Sequence, residues 1–150
     1  MIILKHKKGQ TRNHPSLSAA QVDKAVRKVL RSEKIIQTGE VNIIFVDNSL
    51  IKKLNRQFLG KNKTTDVIAF PYDRKTIRSD DDPFGDVYIS LPEAKSNAKA
   101  FNEPYQKELL RLVVHGMLHI LGYTDYRKKE KKMMWKKQEK LVDKLWLKNK

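Results

Sequence analysis

The chain has 150 residues, 39% hydrophobic and 33% charged, with 32 Lys/Arg against 17 Asp/Glu and a formal net charge of +15. That size and balance suit one folded domain spanning 1–150 rather than a disordered tail, and no apolar run is long enough to span a bilayer. The absence of cysteine excludes disulfides and thiolate metal sites, and the basic excess points to a polyanionic partner, nucleic acid before anionic membrane.

The start, Met1 to Lys5, lacks the basic lead, long apolar region and cleavage site of a signal peptide. It reads as a first strand, and a cytoplasmic location is expected. Ser18 and Gln21 form a capping box, after which Val22, Ala25, Val26, Val29 and Leu30 follow helical spacing. Gly39 separates this helix from a buried-type strand at 41–46. Asp47, Asn48 and Ser49 offer a cap for a second helix, with Ile51, Leu54 and Phe58 on one face, and residues 60–63 form a polar loop. Residues 66–70 read as a third strand stopped by Pro71, and residues 85–90 as a fourth. No helix lies between these two, so antiparallel pairing is expected; the run Asp80, Asp81, Asp82 in their long connection is read as solvated.

Ser90 and Glu93 suggest a second capping box, with Pro92 in the first turn of a helix carrying Ala94, Ala98 and Phe101. Asn102 is the expected cap of the next helix, with Pro104 in its first turn. That helix is apolar almost all round from 109 to 121, the mark of a central, buried element. The last helix starts near Lys128, with Met134, Trp135, Leu141, Val142 and Leu145 as its packing stripe. Residues 127–150 hold eleven Lys/Arg against three acids. The expected fold class is α+β: a small mixed sheet of about four strands covered by about five helices, with a metal site on the central helix.

The metal expectation comes from His115 and His119, four residues apart and so stacked on one helical face. Two imidazoles buried without partners would cost roughly a few kcal/mol, which a shared ion removes. The competing reading is a pair of core histidines bonded to carbonyls. Gly122 permits a turn that returns Asp125 toward the pair, continuing the pattern H-x-x-x-H-x-x-G-x-x-ligand. Three nitrogen or oxygen ligands with an open fourth position are usual for catalytic zinc. Zinc peptidases of this helical type place a glutamate after the first histidine as general base. Here that position is Gly116, which argues against peptide hydrolysis.

Four blocks in this order carry a resemblance: Leu54-Asn55, residues 65–71, residues 85–90 and residues 115–123. In them the chain resembles the YbeY family, metal-dependent single-strand endoribonucleases of ribosomal RNA maturation. The resemblance implies one Zn²⁺, with Mn²⁺ or another divalent ion possible, and single-stranded ribosomal RNA as substrate. It further implies small-subunit rRNA processing, ribosome quality control, ribosomal proteins or a ribosome-associated GTPase as partners, and no membrane partner. The expected metal ligands are His115, His119 and Asp125, with His115 acting catalytically through the ion.

There are two departures from the family pattern. Asp125 stands where the family usually has histidine, and Leu59 where it commonly has arginine; Arg56, one turn earlier, is a candidate substitute. The carboxylate lowers the charge of the ion and its ligands from +2 to +1, which favours tolerance of harder ions such as Mn²⁺. Asp66 and Asp86 are candidates to orient a ligand histidine through its free N–H, against the plainer reading that they cap strand ends. Ser90 reads as a helix cap rather than a nucleophile, and His6 and His14 as solvated. Lysines of the last helix and of residues 57–63 are expected to hold RNA phosphates, with little base stacking. The alternatives are a non-catalytic RNA-binding assembly factor with a structural metal, or another zinc hydrolase.

Overall fold

A computed structural model describes residues 3–7, 17–35, 39–79 and 81–148. The strands β1 (Ile3–Lys7), β2 (Glu40–Val46), β3 (Val67–Pro71) and β4 (Pro83–Ser90) form one sheet in the order β1-β2-β4-β3. β2 runs parallel to both β1 and β4, whereas β3 pairs antiparallel with β4, as the missing crossover helix required. Pro71 closes β3 at the sheet edge, where a residue without an N–H costs no ladder bond. The helices are α1 (Ala19–Ser32), α2 (Asn48–Leu59), α3 (Leu91–Ala100), α4 (Tyr105–Ile120) and α5 (Lys128–Lys148).

β2 is apolar on both faces because both are covered. Ile43 and Phe45 join the main core with α1, α4 and α5, while Ile44 and Val46 meet Ile51 of α2 and Ile68 of β3. α4 lies at the centre of the main core, with Leu109, Leu110, Val113, Val114, Met117 and Leu118 fully buried. It approaches β4 closely through two glycines. A Cβ at Gly116 would overlap Val87 Cγ1, and one at Gly85 would lie 2.6 Å from Ile120 Cδ1. These contacts fix the rotation of α4, and with it the direction in which its histidines face.

The capping box of Ser18 and Gln21 is complete, and Asp47 caps α2 through the Leu50 N–H. Three expectations are corrected. Asn102 does not cap α4: it adopts φ 54° just after Phe101, the C-cap of α3, a left-handed geometry that asparagine tolerates well. Pro104 is the N-cap of α4, with no side-chain cap bond. At α3, Ser90 Oγ accepts from the Glu93 N–H, but the Ser90 N–H is committed to the Asp66 carbonyl in the sheet. The Glu93 carboxylate takes the Asn48 side chain instead, so only half of that box forms.

The third correction concerns three aromatic side chains. Phe101, Trp135 and Phe58 are largely exposed rather than part of a packing stripe, although Phe58 meets Phe70 edge-on at 5.3 Å. Gln138, not Trp135, completes the buried stripe of α5 with Met134, Leu141, Val142 and Leu145. Asp82 closes its loop by accepting from the Arg78 and Ser79 N–H groups. Asp80, His14 and the side chain of His6 lie outside the described residues.

Candidate metal centre

His115 and His119 project from the last two turns of α4, whose end explains how Asp125 reaches them. The Gly122 N–H bonds the His119 carbonyl at 3.0 Å, and the Tyr123 N–H bonds the Leu118 carbonyl at 3.0 Å. With Gly122 at φ 101°, this is a Schellman closure, which turns the chain back across the helix end. His115 Nε2 and His119 Nε2 come within 3.0 Å of each other. Asp125 Oδ2 lies 3.8 Å from the first and 3.7 Å from the second. All three side chains are partly buried, and their donor atoms lie within 4.8 Å of one another.

The proton positions follow from the partners. Gln138 Nε2 donates to Glu139 Oε2 at 3.0 Å, so Gln138 Oε1 faces His115 and accepts from its Nδ1 at 2.6 Å. His119 Nδ1 donates to the Tyr123 carbonyl at 2.9 Å. Burial, followed by the neighbouring His115, holds the His119 pKa below the usual histidine value and favours its neutral form. With each Nδ1 turned to an oxygen partner, the two Nε2 atoms converge on one spot beside a carboxylate. Such an arrangement is repulsive unless a cation lies between the three atoms. The donor set therefore fits a divalent ion that accepts imidazole nitrogen and carboxylate oxygen.

Asp66 and Asp86 do not hold the histidines, because the Nδ1 atoms are taken by Gln138 and the Tyr123 carbonyl. Asp66 accepts from Asn97 Nδ2 at 3.0 Å. Asp86 accepts from Asn42 Nδ2 at 2.9 Å and from the Tyr72 hydroxyl at 2.8 Å. That hydroxyl bond, with burial, pushes the Tyr72 pKa up to about 12. Gln138 was missed by sequence reasoning, although a polar residue on the buried stripe of α5 was the signal for it.

Behind Gln138 stands a buried ion-pair network centred on Arg111 of α4. Its Nη1 donates to Glu103 at 2.6 Å and to Glu108 at 2.7 Å. Its Nε and Nη2 take both oxygens of Glu139, at 2.9 and 3.0 Å. Arg111 thus fixes Glu139, which fixes Gln138, which fixes the His115 ring. Gln138→Ala is expected to weaken metal affinity by about 10–100-fold, as loss of an orienting partner of a ligand histidine does. Competition against a chelator measures this; unchanged affinity would show that the ring needs no such support.

Two cavities meet at His115, and both are lined by Asp66, His115 and Asp125. One, of about 570 Å³, runs along β3 and the end of α2, past Leu59, Lys61 and Lys63. Leu59 lines it and Arg56 does not, so Arg56 takes no place on its wall. The other, of about 650 Å³, lies between α3 and α5 and carries Lys128, Lys131 and Lys132. Lysines therefore stand on either side of the metal-binding group.

The chain is similar to known proteins over most of its length. The family model described as Endoribonuclease YbeY matches residues 5–146. The chain is 41% identical over 129 residues to the Endoribonuclease YbeY of Persephonella marina, covering 85% of this chain and 84% of that protein. It is 35% identical over 148 residues to that of Caldanaerobacter subterraneus, covering 92% and 94%. The solution structure of TM1509 from Thermotoga maritima is similar with a TM-score of 0.63 and 31% identity, covering 99% of this chain and 91% of that one.

Proposed function

This chain belongs to the YbeY endoribonuclease family, and from that premise we propose that it is a metal-dependent endoribonuclease cutting single-stranded RNA in ribosomal RNA maturation. His115, His119 and Asp125 hold one divalent ion, Zn²⁺ first and Mn²⁺ as an accepted substitute. The observation that carries the reading is the pair of converging Nε2 atoms beside Asp125, at the junction of two lysine-lined cavities. An ion there supplies polarisation of a phosphoryl oxygen and acidification of a water.

The chain's own groups do the rest. Gln138 and the Tyr123 carbonyl keep the rings in the ligating tautomer. Lys61 and Lys63 on one side, and Lys128, Lys131 and Lys132 on the other, hold backbone phosphates of a strand laid across the site. Gly116 provides no base, so peptide hydrolysis by the helical-glutamate route is disfavoured. A structural zinc is closed by four protein ligands, whereas the group found among the described residues has three, which favours catalysis over a structural role.

The same proposal includes action as one domain over 1–150, a share in ribosome quality control, and contacts with ribosomal proteins or a ribosome-associated GTPase. It also includes a cytoplasmic site of action. No helix among the described residues is long and apolar enough to cross a membrane.

The test pairs elemental analysis of the purified protein with cleavage assays on single-stranded RNA, duplex RNA and unfolded protein. About one divalent ion per chain, with cutting confined to single-stranded RNA, is expected. Protein cleavage, or no RNA cleavage by metal-loaded protein, would overturn the reading. RNA affinity should also fall steeply with salt: log K should decline against log[salt] with a slope of about −0.7 per phosphate neutralised on a single strand. A flat response between low and moderate salt would remove the lysines from the interface.

A further inference from the structure

The cavity between α3 and α5 holds more than a metal site requires. Two large aromatic side chains left out of the core line it: Phe101, 65% exposed, and Trp135, 56% exposed. Phe101 is placed there by the end of α3, where it is the C-cap before the left-handed turn at Asn102. Trp135 is turned outward by helical rotation, since its neighbour Met134 is buried. Leu112 and Met134 supply an apolar floor, and Lys128, Lys131 and Lys132 add positive charge. Its volume of about 650 Å³ falls in the roughly 300–1,000 Å³ range of pockets that bury small ligands.

The polar groups of this cavity are asymmetric. Asn97 gives Nδ2 hydrogens to both Asp66 and Glu108. Arg111 gives Nε, Nη1 and Nη2 to glutamates, and Gln138 gives Nε2 to Glu139. The Asn97 carbonyl oxygen and the Asp66, Glu108 and Asp125 carboxylates remain on offer as acceptors, beside the lysines, one Arg111 Nη2 hydrogen and one Gln138 Nε2 hydrogen. The cavity is continuous with the metal group through Asp66, His115 and Asp125. Its occupant should therefore be flat, with a π-face, a polar edge able to donate to these acceptors, and attached to a phosphate chain.

We propose that this cavity is a nucleobase subsite, in which the unpaired base beside the scissile phosphate stacks on Phe101 and Trp135, with preference for a base bearing an exocyclic amino group. Adenine, cytosine and guanine meet that description and uracil does not. The subsite rests on the ribonuclease reading for its orientation along the strand. It also changes the expectation of little base stacking, which concerned the lysines of the last helix and of residues 57–63. The two aromatics come from different helices, and only the fold puts them on one cavity.

The chain has two tryptophans, Trp135 and Trp146, so intrinsic fluorescence reports on the subsite. Short oligoadenylate is expected to quench the wild-type protein and to bind several-fold more tightly than oligouridylate. An abasic strand of equal length should bind through the lysines without quenching. Trp135→Ala is expected to abolish that quenching and weaken oligoadenylate binding about ten-fold, the loss of one stacked base. Trp135→Phe should restore the affinity without the quenching, and Phe101→Ala should weaken binding similarly. Both positions are exposed, so the variants fold. Equal binding of the two strands, or alanine variants that bind like wild type, would overturn the subsite. Cleavage by wild type is read in parallel: no cleavage with base-dependent quenching overturns the nuclease reading and keeps the subsite, whereas cleavage without it does the reverse.

Discussion

His115→Ala is expected to lose the bound ion and RNA cleavage together. The fall in kcat/KM should exceed the roughly 10–100-fold that follows loss of a mere orienting partner, because here one of three donor atoms goes. The fold should survive, since His115 is only partly buried and its removal leaves α4's apolar contacts intact. Metal content, circular dichroism and cleavage of a single-stranded substrate, measured on one preparation, separate these effects. Unchanged cleavage by a metal-free, folded His115→Ala protein would sink the proposed mechanism. Asp125→His is the informative companion, because it puts an imidazole where the family usually has one. It should retain the ion and narrow the metal range, with Mn²⁺ losing most ground to Zn²⁺, since a carboxylate suits the harder ion.

Arg111→Ala should be the most destabilising single change within the site's support. It leaves Glu108, 2% exposed, and Glu139 without their shared cation. Removing one partner of a buried ion pair costs about 3–5 kcal/mol, because the other charge remains desolvated. Urea denaturation should show a lower midpoint with an unchanged slope. The pH response carries the sign. Glu139 is subject to burial, which raises its pKa, but the Arg111 hydrogen bonds outweigh this and hold it below the usual carboxylate value. Its contribution to wild-type stability is present at neutral pH and is lost as pH falls below about 4.5.

Glu108 behaves oppositely, because burial outweighs its bonds and raises its pKa. A carboxyl raised in the folded state disfavours folding at high pH, and protonation relieves the penalty as pH falls. In Arg111→Ala both carboxylates take this second sign, so the gap to wild type should narrow in acid. A gap independent of pH would show that lost packing, not stranded charge, is the cost.

The parts of this architecture that depend on local chemistry were readable in the sequence. Ser18 and Gln21 cap a helix wherever that helix sits, and the absence of a helix between the strands at 66–70 and 85–90 forces an antiparallel pair. His115, His119, Gly122 and Asp125 lie within eleven residues, so helix geometry and one glycine turn bring them together. The groups that support them come from farther away. Gln138 is 23 residues from His115, and its role depends on how α5 packs across α4, which no local pattern reports. Asp66 and Asp86 drew attention because carboxylates often orient histidines, yet an amide and a backbone carbonyl do the work. Asn102 was misread because asparagine serves equally at the start of one helix and in the left-handed stop of another; the position of Pro104 did not distinguish the two.

The contact between Gly116 and Val87 also bears on what this scaffold can become. A glutamate after the first histidine would give the site a peptidase's base, and by codon or charge alone that looks like a small step. It is closed by packing: any side chain at 116 runs into β4, and lifting α4 away would disturb the packing through which Gln138 of α5 holds the His115 ring. Variants on that route would loosen the support of the His115 ring before acquiring the new chemistry. The neighbouring strand thus stands as a barrier between a zinc-peptidase-like histidine pattern and a peptidase's base.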